Sequence, residues 1–277
     1  MPELPEVESV KVGLNQLVQG KVIDDVTVYW PRIIDTESDL HLWIQQLKGK
    51  SIEKIGRRGK YLIFFLEDQV MISHLRMEGK YLYFPSQKLP ERKDKHSHVI
   101  FHFKDGSQLH YHDVRKFGRM CLTTRENYEE YFETKKLGPE PLTGHFKWES
   151  FHQRLQLTKR PIKTVLLEQK VVVGLGNIYV DEALFEAGIL PMRLANRLSE
   201  EETKKLHQAI QEVLARAVEA GGSTIRTYKN SLGQAGNFQL QLKVYGRKNQ
   251  PCVVCGQPIQ KMSLGQRGTH FCLNCQS

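Results

Sequence analysis

The sequence predicts an α+β protein of more than one domain: a β-rich first half, a helical second half and a small cysteine-bearing hairpin at the C-terminus. Three observations carry this. The chain has 277 residues, room for about two domains of roughly 150 residues. Short runs of aromatic and β-branched residues dominate 21–122, and the pattern after Pro141 turns to helical spacing. Four of the five cysteines lie beyond Pro251.

Within Pro5–Val18, apolar Val7, Val10, Leu14 and Leu17 recur at helical spacing behind Glu6 and Glu8, which predicts a helix with Pro5 in its first position. Strands are expected at Tyr61–Leu66, Val70–Leu75, Lys80–Phe84, Val99–Phe103 and Gln108–His112, with Asp105-Gly106 as a two-residue hairpin turn. Such a series of short strands predicts a sandwich or barrel. Cys121, in an apolar stretch, reads as a small buried hydrophobe. The run Leu137-Gly138-Pro139-Glu140-Pro141 breaks any regular element and sets a domain boundary. Helices follow at Trp148–Leu155, Pro161–Gln169 and Asn177–Ala187, then one that opens on a capping box at Ser199 and Glu202 and ends at Gly221-Gly222. The polar stretch Ser223–Gly246 is expected to be a flexible loop leading to the cysteine hairpin, and no internal repeat is visible.

Composition narrows the function. Hydrophobic residues make up 40% of the chain, and 21 Gly with 11 Pro fall short of a low-complexity or collagen-like level. Lys and Arg total 40 against 31 acidic residues, a formal charge of +9 and a pI near 9.2, the balance of a protein that meets polyanions. An anionic membrane surface is the rival partner, but there is no polybasic tail or long basic amphipathic helix. No run of eighteen uncharged apolar residues occurs and MPELPEVESV is acidic where a signal peptide is basic, so the expected location is inside the cell, in the cytoplasm.

Four features could carry chemistry. Cys252-x2-Cys255 and Cys272-x2-Cys275 each aim two sulfurs at one point, and together they make a tetrahedral thiolate shell that suits Zn2+; two disulfides or a rubredoxin-like iron site are the alternatives. Gly174 and Gly176 permit a tight turn and Asn177 can cap the next helix, so backbone N–H groups converge where a phosphate could sit; a plain helix–turn–helix corner explains the same residues. Arg267 falls at the tip of the cysteine hairpin, where a stiffened guanidinium can grip a phosphate; a solvated surface arginine explains the same position. At the N-terminus, removal of Met1 before the small Pro2 leaves a secondary amine. An α-amino group with a pKa of about 8 is roughly one-tenth neutral at pH 7, and a helix N-terminus lowers that pKa further. Such an amine attacking a sugar C1′ gives a cationic iminium, an electron sink for later elimination, and Glu3 beside it can move protons. The histidines from His96 to His112 invite a metal reading, but no carboxylate or cysteine completes a ligand set.

MPELPEVE, Arg57-Arg58-Gly59-Lys60-Tyr61-Leu62 read as a strand, His74-Leu75-Arg76-Met77, Asp113-Val114-Arg115-Lys116-Phe117-Gly118, the Gly174–Glu182 turn and the four-cysteine hairpin occur together in order. Over essentially its whole length the chain resembles the bacterial formamidopyrimidine-DNA glycosylase family, also called 8-oxoguanine-DNA glycosylase or MutM. The resemblance implies an N-terminal β-sandwich with flanking helices (1–136), a helix-two-turn-helix DNA-binding domain (137–222), and a lesion-recognition loop with a β-hairpin zinc finger (223–277), with DNA between the lobes. It implies excision of oxidised purines, chiefly 8-oxoguanine and formamidopyrimidines, in base excision repair, then strand cleavage by β,δ-elimination. The partner is double-stranded DNA containing an oxidised base, bound by a monomer, with one structural Zn2+ on Cys252, Cys255, Cys272 and Cys275.

Carried over residue by residue, Pro2 resembles the Schiff-base nucleophile, Glu3 the proton donor that opens the deoxyribose, Lys60 the donor in β-elimination and Arg267 the donor in δ-elimination. Arg267 does not readily lose a proton, so stabilising the departing phosphate is its physically better role. Met77, Arg115 and Phe117 match residues that fill the gap left by an extruded base, with Arg115 toward the orphaned cytosine. Met77 and Phe117 read as core residues without the resemblance. His74, His96, Lys159, Asn177 and Arg267 match DNA contacts, and Ser223, Thr224, Ile225, Arg226, Thr227 and Tyr228 match the segment that covers the flipped purine. Gln266 stands where glycine is frequent in the family. Leu4 separates the chain from the endonuclease VIII branch, which removes oxidised pyrimidines and opens Pro-Glu-Gly-Pro. A non-catalytic zinc-ribbon DNA-binding protein is the rival from another class; it has no need of Pro2, Glu3 and Lys60.

Overall fold

The computed structural model describes residues 1–35, 39–223 and 236–277, which separate into two compact units, Met1–Thr134 and Lys135–Ser223 with Asn237–Ser277. The first unit opens with α1 (Leu4–Val18), capped by Glu3, whose backbone N–H donates to the Glu6 carboxylate at 2.7 Å in a capping box. Pro5 takes the second helical position rather than the first. Val7, Val10, Leu14 and Val18 line the buried face.

The strands of this unit are β1 (Ile23–Val28), β2 (Lys54–Arg58), β3 (Tyr61–Leu66), β4 (Gln69–His74), β5 (Lys80–Phe84), β6 (Ser97–Phe103), β7 (Gln108–His112) and β8 (Arg119–Thr124). They form two antiparallel four-stranded sheets, ordered β1-β6-β7-β5 and β2-β3-β4-β8. One core joins them: Val26, Tyr81, Phe101, Leu109 and Tyr111 from the first sheet meet Ile55, Leu62, Phe64 and Met71 from the second. The helices α2 (Leu40–Leu47) and α3 (Tyr128–Thr134), unforeseen in the sequence, flank the sheets.

Three local expectations need correction. Arg57–Leu62 is a hairpin, not one strand: β2 and β3 pair through Arg58 and Tyr61, and Gly59 (φ +56°) with Lys60 forms the turn. The β6–β7 turn is longer than Asp105-Gly106. Gly106 N–H returns to the Phe103 carbonyl at 2.9 Å, and a type I turn closed by a left-handed glycine takes three loop residues. Cys121 is only partly buried in β8.

In the second unit, α4 (Trp148–Gln156), α5 (Ile162–Leu167), α6 (Asn177–Glu186) and α7 (Glu200–Glu219) pack around Phe151, Leu166, Tyr179, Leu184, Leu206, Ile210 and Leu214. The Ser199–Glu202 capping box opens α7, and Gly221 and Gly222, both at positive φ, follow its end. The last hairpin is β9 (Gln260–Leu264) with β10 (Arg267–Phe271). The expected loop over 223–246 is not open throughout. Phe238 enters the helical core, Val244 packs beside the cysteines, and Ser223 bridges to Asn237. Thr224, Ile225, Arg226, Thr227 and Tyr228 lie outside the described residues. No described helix is long and apolar enough to cross a membrane.

Candidate active site

The N-terminus is held, not frayed. Pro2, Glu3 and Leu4 are buried, and the capping box fixes the chain as it enters α1. Burial lowers the pKa of the Met1 amine, opposed by the charges of Glu3, Glu6 and Glu78 and reinforced by Lys60. Those four side chains are therefore the charged neighbourhood of the amine, with Lys60 itself only 5% exposed. Lys60 reaches this position because the two-residue turn puts it at the tip of the β2–β3 hairpin.

His74 sits across the sheet from Tyr61, the two rings meeting edge to face at 4.5 Å. Burial, with the Arg76 and Lys60 charges, pushes its pKa down to about 3. Its Nδ1 accepts the Arg76 backbone N–H at 2.9 Å, which leaves Nε2 to carry the proton of the neutral ring. His74 is thus a neutral donor whose charge does not change near pH 7.

Met77 follows on the β4–β5 turn and is partly exposed. Arg115 and Phe117 stand on the β7–β8 turn, with Phe117 48% exposed and the Arg115 guanidinium stacked on its ring at 4.7 Å. A core role for Phe117 is excluded by that exposure. Asp113, wholly buried, organises the turn: Oδ1 accepts from Arg115 N–H at 3.0 Å, and Oδ2 from Phe117 and Gly118 N–H at 2.9 and 2.8 Å. His96 is partly buried, and its carbonyl accepts the Asp113 N–H at 3.0 Å. Its ring stacks edgewise on His112, whose Nε2 lies 3.2 Å from Asp94. The histidines do not converge on a metal site among the described residues.

Lys159, Asn177 and Arg267 belong to the second unit. Lys159 is exposed in the loop before α5. Gly176, not Asn177, is the N-cap of α6; the Asn177 amide instead donates to the Gly268 carbonyl at 2.9 Å, next to Arg267 in β10. The turn that carries Asn177 is pinned by Gln169, which donates to the carbonyls of Leu167 and Leu175 and accepts from Gly174 N–H. Arg267 is exposed at the start of β10, behind Gly265 and Gln266, both at positive φ. Below it, buried Lys163 bonds Asp181 at 2.7 Å and the Gly268 carbonyl at 3.1 Å, while Asp181 accepts the His270 N–H at 2.9 Å. These bonds fasten the hairpin to α5 and α6.

The four cysteine sulfurs lie within 4.8 Å of one another, Cys252 to Cys275 at 3.8 Å and Cys255 to Cys272 at 3.5 Å. A tetrahedron with Zn–S bonds of about 2.3 Å has edges of roughly 3.8 Å, so the donor set fits one Zn2+. The separations are far too long for disulfides. The Gln257 N–H holds the Cys255 thiol down at about 7, whereas burial pushes Cys272 and Cys275 up. Four thiolates at one point need a dication to be stable, and a filled shell leaves no position for a metal-bound water.

Sequence reading missed the positioning roles of Glu6, Asp113, Gln169, the Lys163–Asp181 pair and Glu182, whose carboxylate accepts N–H groups of Lys243, Val244 and Tyr245. Glu3-x-x-Glu6 and Asp113-x-Arg115 are visible local patterns, a capping box and an Asx turn. The partners of Gln169, Lys163 and Glu182 have no local signal.

Comparison with known proteins bears on the same regions. Residues 1–120 match the formamidopyrimidine-DNA glycosylase N-terminal domain, 137–229 its H2TH domain, and 249–277 a zinc finger found in FPG and IleRS. The formamidopyrimidine-DNA glycosylase of Bacillus licheniformis is 53% identical over 100% of this chain and 99% of its own, and that of Bacillus subtilis 51% over the same shares. Among solved structures, Lactococcus lactis Fpg with abasic-site DNA superposes with a TM-score of 0.93 at 44% identity, covering 99% of both chains. The wild-type Lactococcus lactis Fpg (MutM) bound to DNA containing N7-benzyl-Fapy-dG also gives 0.93 at 44% identity, covering 100% of both. The zinc-finger match settles the metal as zinc, one structural ion on the four cysteines. From its first residues to its last hairpin, this chain belongs to the formamidopyrimidine-DNA glycosylase family.

Proposed function

We propose that this chain is a bifunctional DNA glycosylase and AP lyase that removes oxidised purines, 8-oxoguanine and formamidopyrimidines, from duplex DNA in the bacterial cytoplasm. Its relatives carry the glycosylase name, and solved relatives are bound to abasic and Fapy-dG DNA. The observation that carries the chemistry is the packing of the N-terminal segment: Pro2 and Glu3 are buried behind the exposed Met1, and Glu3 and Lys60 are among the charged neighbours of the terminal amine. Once Met1 is removed, the Pro2 nitrogen is a secondary amine in that neighbourhood. Its lone pair attacks C1′ as the glycosidic bond breaks with its electrons to the base, and the proton shed by the new ammonium passes to the departing base. The freed nitrogen lone pair then breaks the C1′–O4′ bond to give the iminium, with Glu3 delivering a proton to O4′ as the sugar opens. Loss of a C2′ proton then expels the 3′ phosphate, with Lys60 as proton donor. A second elimination expels the 5′ phosphate, whose charge Arg267 stabilises.

Met77, Arg115 and Phe117 fill the space of the extruded nucleotide, and neutral His74, with His96, Lys159 and Asn177, holds the backbone. Residues 223–228 cover the base. In this reading 1–136 supplies the chemistry, 137–222 the grip on DNA, and 223–277 the lesion loop and the zinc-stiffened hairpin. Borohydride trapping on an 8-oxoguanine duplex tests the chemistry: the adduct should map by mass spectrometry to the N-terminal peptide beginning at Pro2. An adduct on a lysine, or none from zinc-loaded protein lacking Met1, would overturn it.

A further inference from the structure

Met77 and the Arg115–Phe117 pair stand on two turns separated in sequence, and one side chain lies against both. Tyr111, wholly buried in β7, ends with its hydroxyl between Gly79 and Gly118. A methyl built on Gly118 would stand 1.7 Å from that oxygen, and one on Gly79 2.2 Å from it, so neither turn can hold any side chain there. Gly79 closes the Met77 turn, its N–H returning to the Leu75 carbonyl at 3.0 Å. Gly118 closes the Phe117 turn, its N–H held by Asp113. The Tyr111 ring is braced from behind by Tyr81, edge to face at 5.2 Å, and the Tyr81 hydroxyl is fixed on Ser73 of the other sheet at 2.8 Å.

We propose that Tyr111 is a positioning residue that sets the spacing of the two turns, so that Met77, Arg115 and Phe117 enter the duplex as one rigid wedge. The inference rests on the void-filling reading above. A packed aromatic spacer between two glycines has one distance of closest approach, and a wedge filling a single vacated position needs its parts at fixed separation. Misplacement by about an ångström is enough to cost on the order of 100-fold in rate.

The test compares single-turnover excision from an 8-oxoguanine duplex with Schiff-base trapping on a single-stranded abasic oligonucleotide, which has no void to fill. Tyr111→Leu should slow duplex excision by roughly 10- to 100-fold and change single-strand trapping less than about twofold. Fluorescence of 2-aminopurine beside the lesion should show the loss of wedge insertion in that variant. Gly118→Ala should be impaired alone and suppressed by Tyr111→Leu, because the shorter side chain makes room for the new methyl. Met77→Ala should be costly in the wild-type background and nearly silent in Tyr111→Leu, the non-additivity of parts that act together. Tyr111→Phe, which keeps the ring, guards against a folding defect and should fall between wild type and Tyr111→Leu. Equal loss on both substrates, or multiplicative losses for Tyr111→Leu and Met77→Ala, would show a merely structural tyrosine and sink the proposal. Full duplex activity in Met77→Ala alone would instead overturn the void-filling reading beneath it.

Discussion

Lys163→Met probes how the hairpin that carries Arg267 is held. Lys163 and Asp181 are both fully buried and 2.7 Å apart, and Lys163 also donates to the Gly268 carbonyl. Methionine keeps most of the volume and removes the charge. The Gly268 carbonyl still receives the Asn177 amide at 2.9 Å, so the damage falls on Asp181, left with the His270 N–H and ring as partners. Breaking one side of a buried pair costs about 3–5 kcal/mol, and the surviving partners place this case near the lower end. Adding Asp181→Leu removes the stranded charge and leaves an unpaired amide, which costs about 1–3 kcal/mol. The double variant should therefore be more stable than Lys163→Met alone. Urea unfolding of zinc-loaded protein, with m values compared, measures both. A single variant within 1 kcal/mol of wild type, or a double variant less stable than the single, refutes the account.

Cys255→Ser should bring bound zinc to zero by metal analysis and weaken DNA in a filter-binding assay while leaving amine labelling at the N-terminus unchanged. Log affinity should fall linearly with log salt, and Lys159→Ala should reduce that slope by about 0.9, the value of one phosphate contact. His74 is held neutral in the fold, with a pKa of about 3, while the unfolded chain protonates at about 6.5. The unfolded state thus binds more protons as pH falls through that window, and stability drops with falling pH. Between pH 6.5 and 5 the loss is about 1.6 kcal/mol. In His74→Gln that part of the acid limb should flatten, measured by urea unfolding across pH.

Legibility followed the range of the interactions. The expected strands of the first unit match β3, β5 and β7 and lie within one or two residues of β4 and β6, because period-two burial and turn residues act over a few positions. The Ser199–Glu202 box and the cysteine spacing were legible for the same reason. The short α2 and α3 went unseen: eight and seven residues give too few turns for a periodic pattern to stand out. Tyr111 looked like one more strand aromatic, since its role depends on glycines 32 residues before it and 7 after. Lys163 and Glu182 reach across 18 and about 60 residues to partners that no local pattern announces. Motif resemblance located the candidate site, and tertiary structure alone showed what holds it.

Four proposed functional residues share a backbone setting that points to a final prediction. Lys60, Met77, Phe117 and Arg267 each directly follow a residue in the left-handed region: Gly59 at φ +56°, Arg76 at +55°, Lys116 at +58° and Gln266 at +62°. A left-handed residue reverses the chain abruptly and thrusts the next side chain from a turn apex, which suits groups that must reach into DNA. Three of the four are not glycine, and each bears about 1–2 kcal/mol of conformational cost. Gln266→Gly should recover that cost less the roughly 0.5–1 kcal/mol of added chain entropy, a net gain of about 0.5–1 kcal/mol. Lys116→Gly relieves the same backbone but also loses the ammonium over the Trp30 ring, at 4.1 Å. That contact is worth about 0.5–1 kcal/mol at a partly exposed site, so this substitution should be close to neutral. Paired urea unfolding curves read the difference directly. Equal gains in the two variants would mean that the Trp30 contact contributes nothing, and a loss in Gln266→Gly would mean that the glutamine at the hairpin tip stabilises the fold in a way its backbone geometry does not explain.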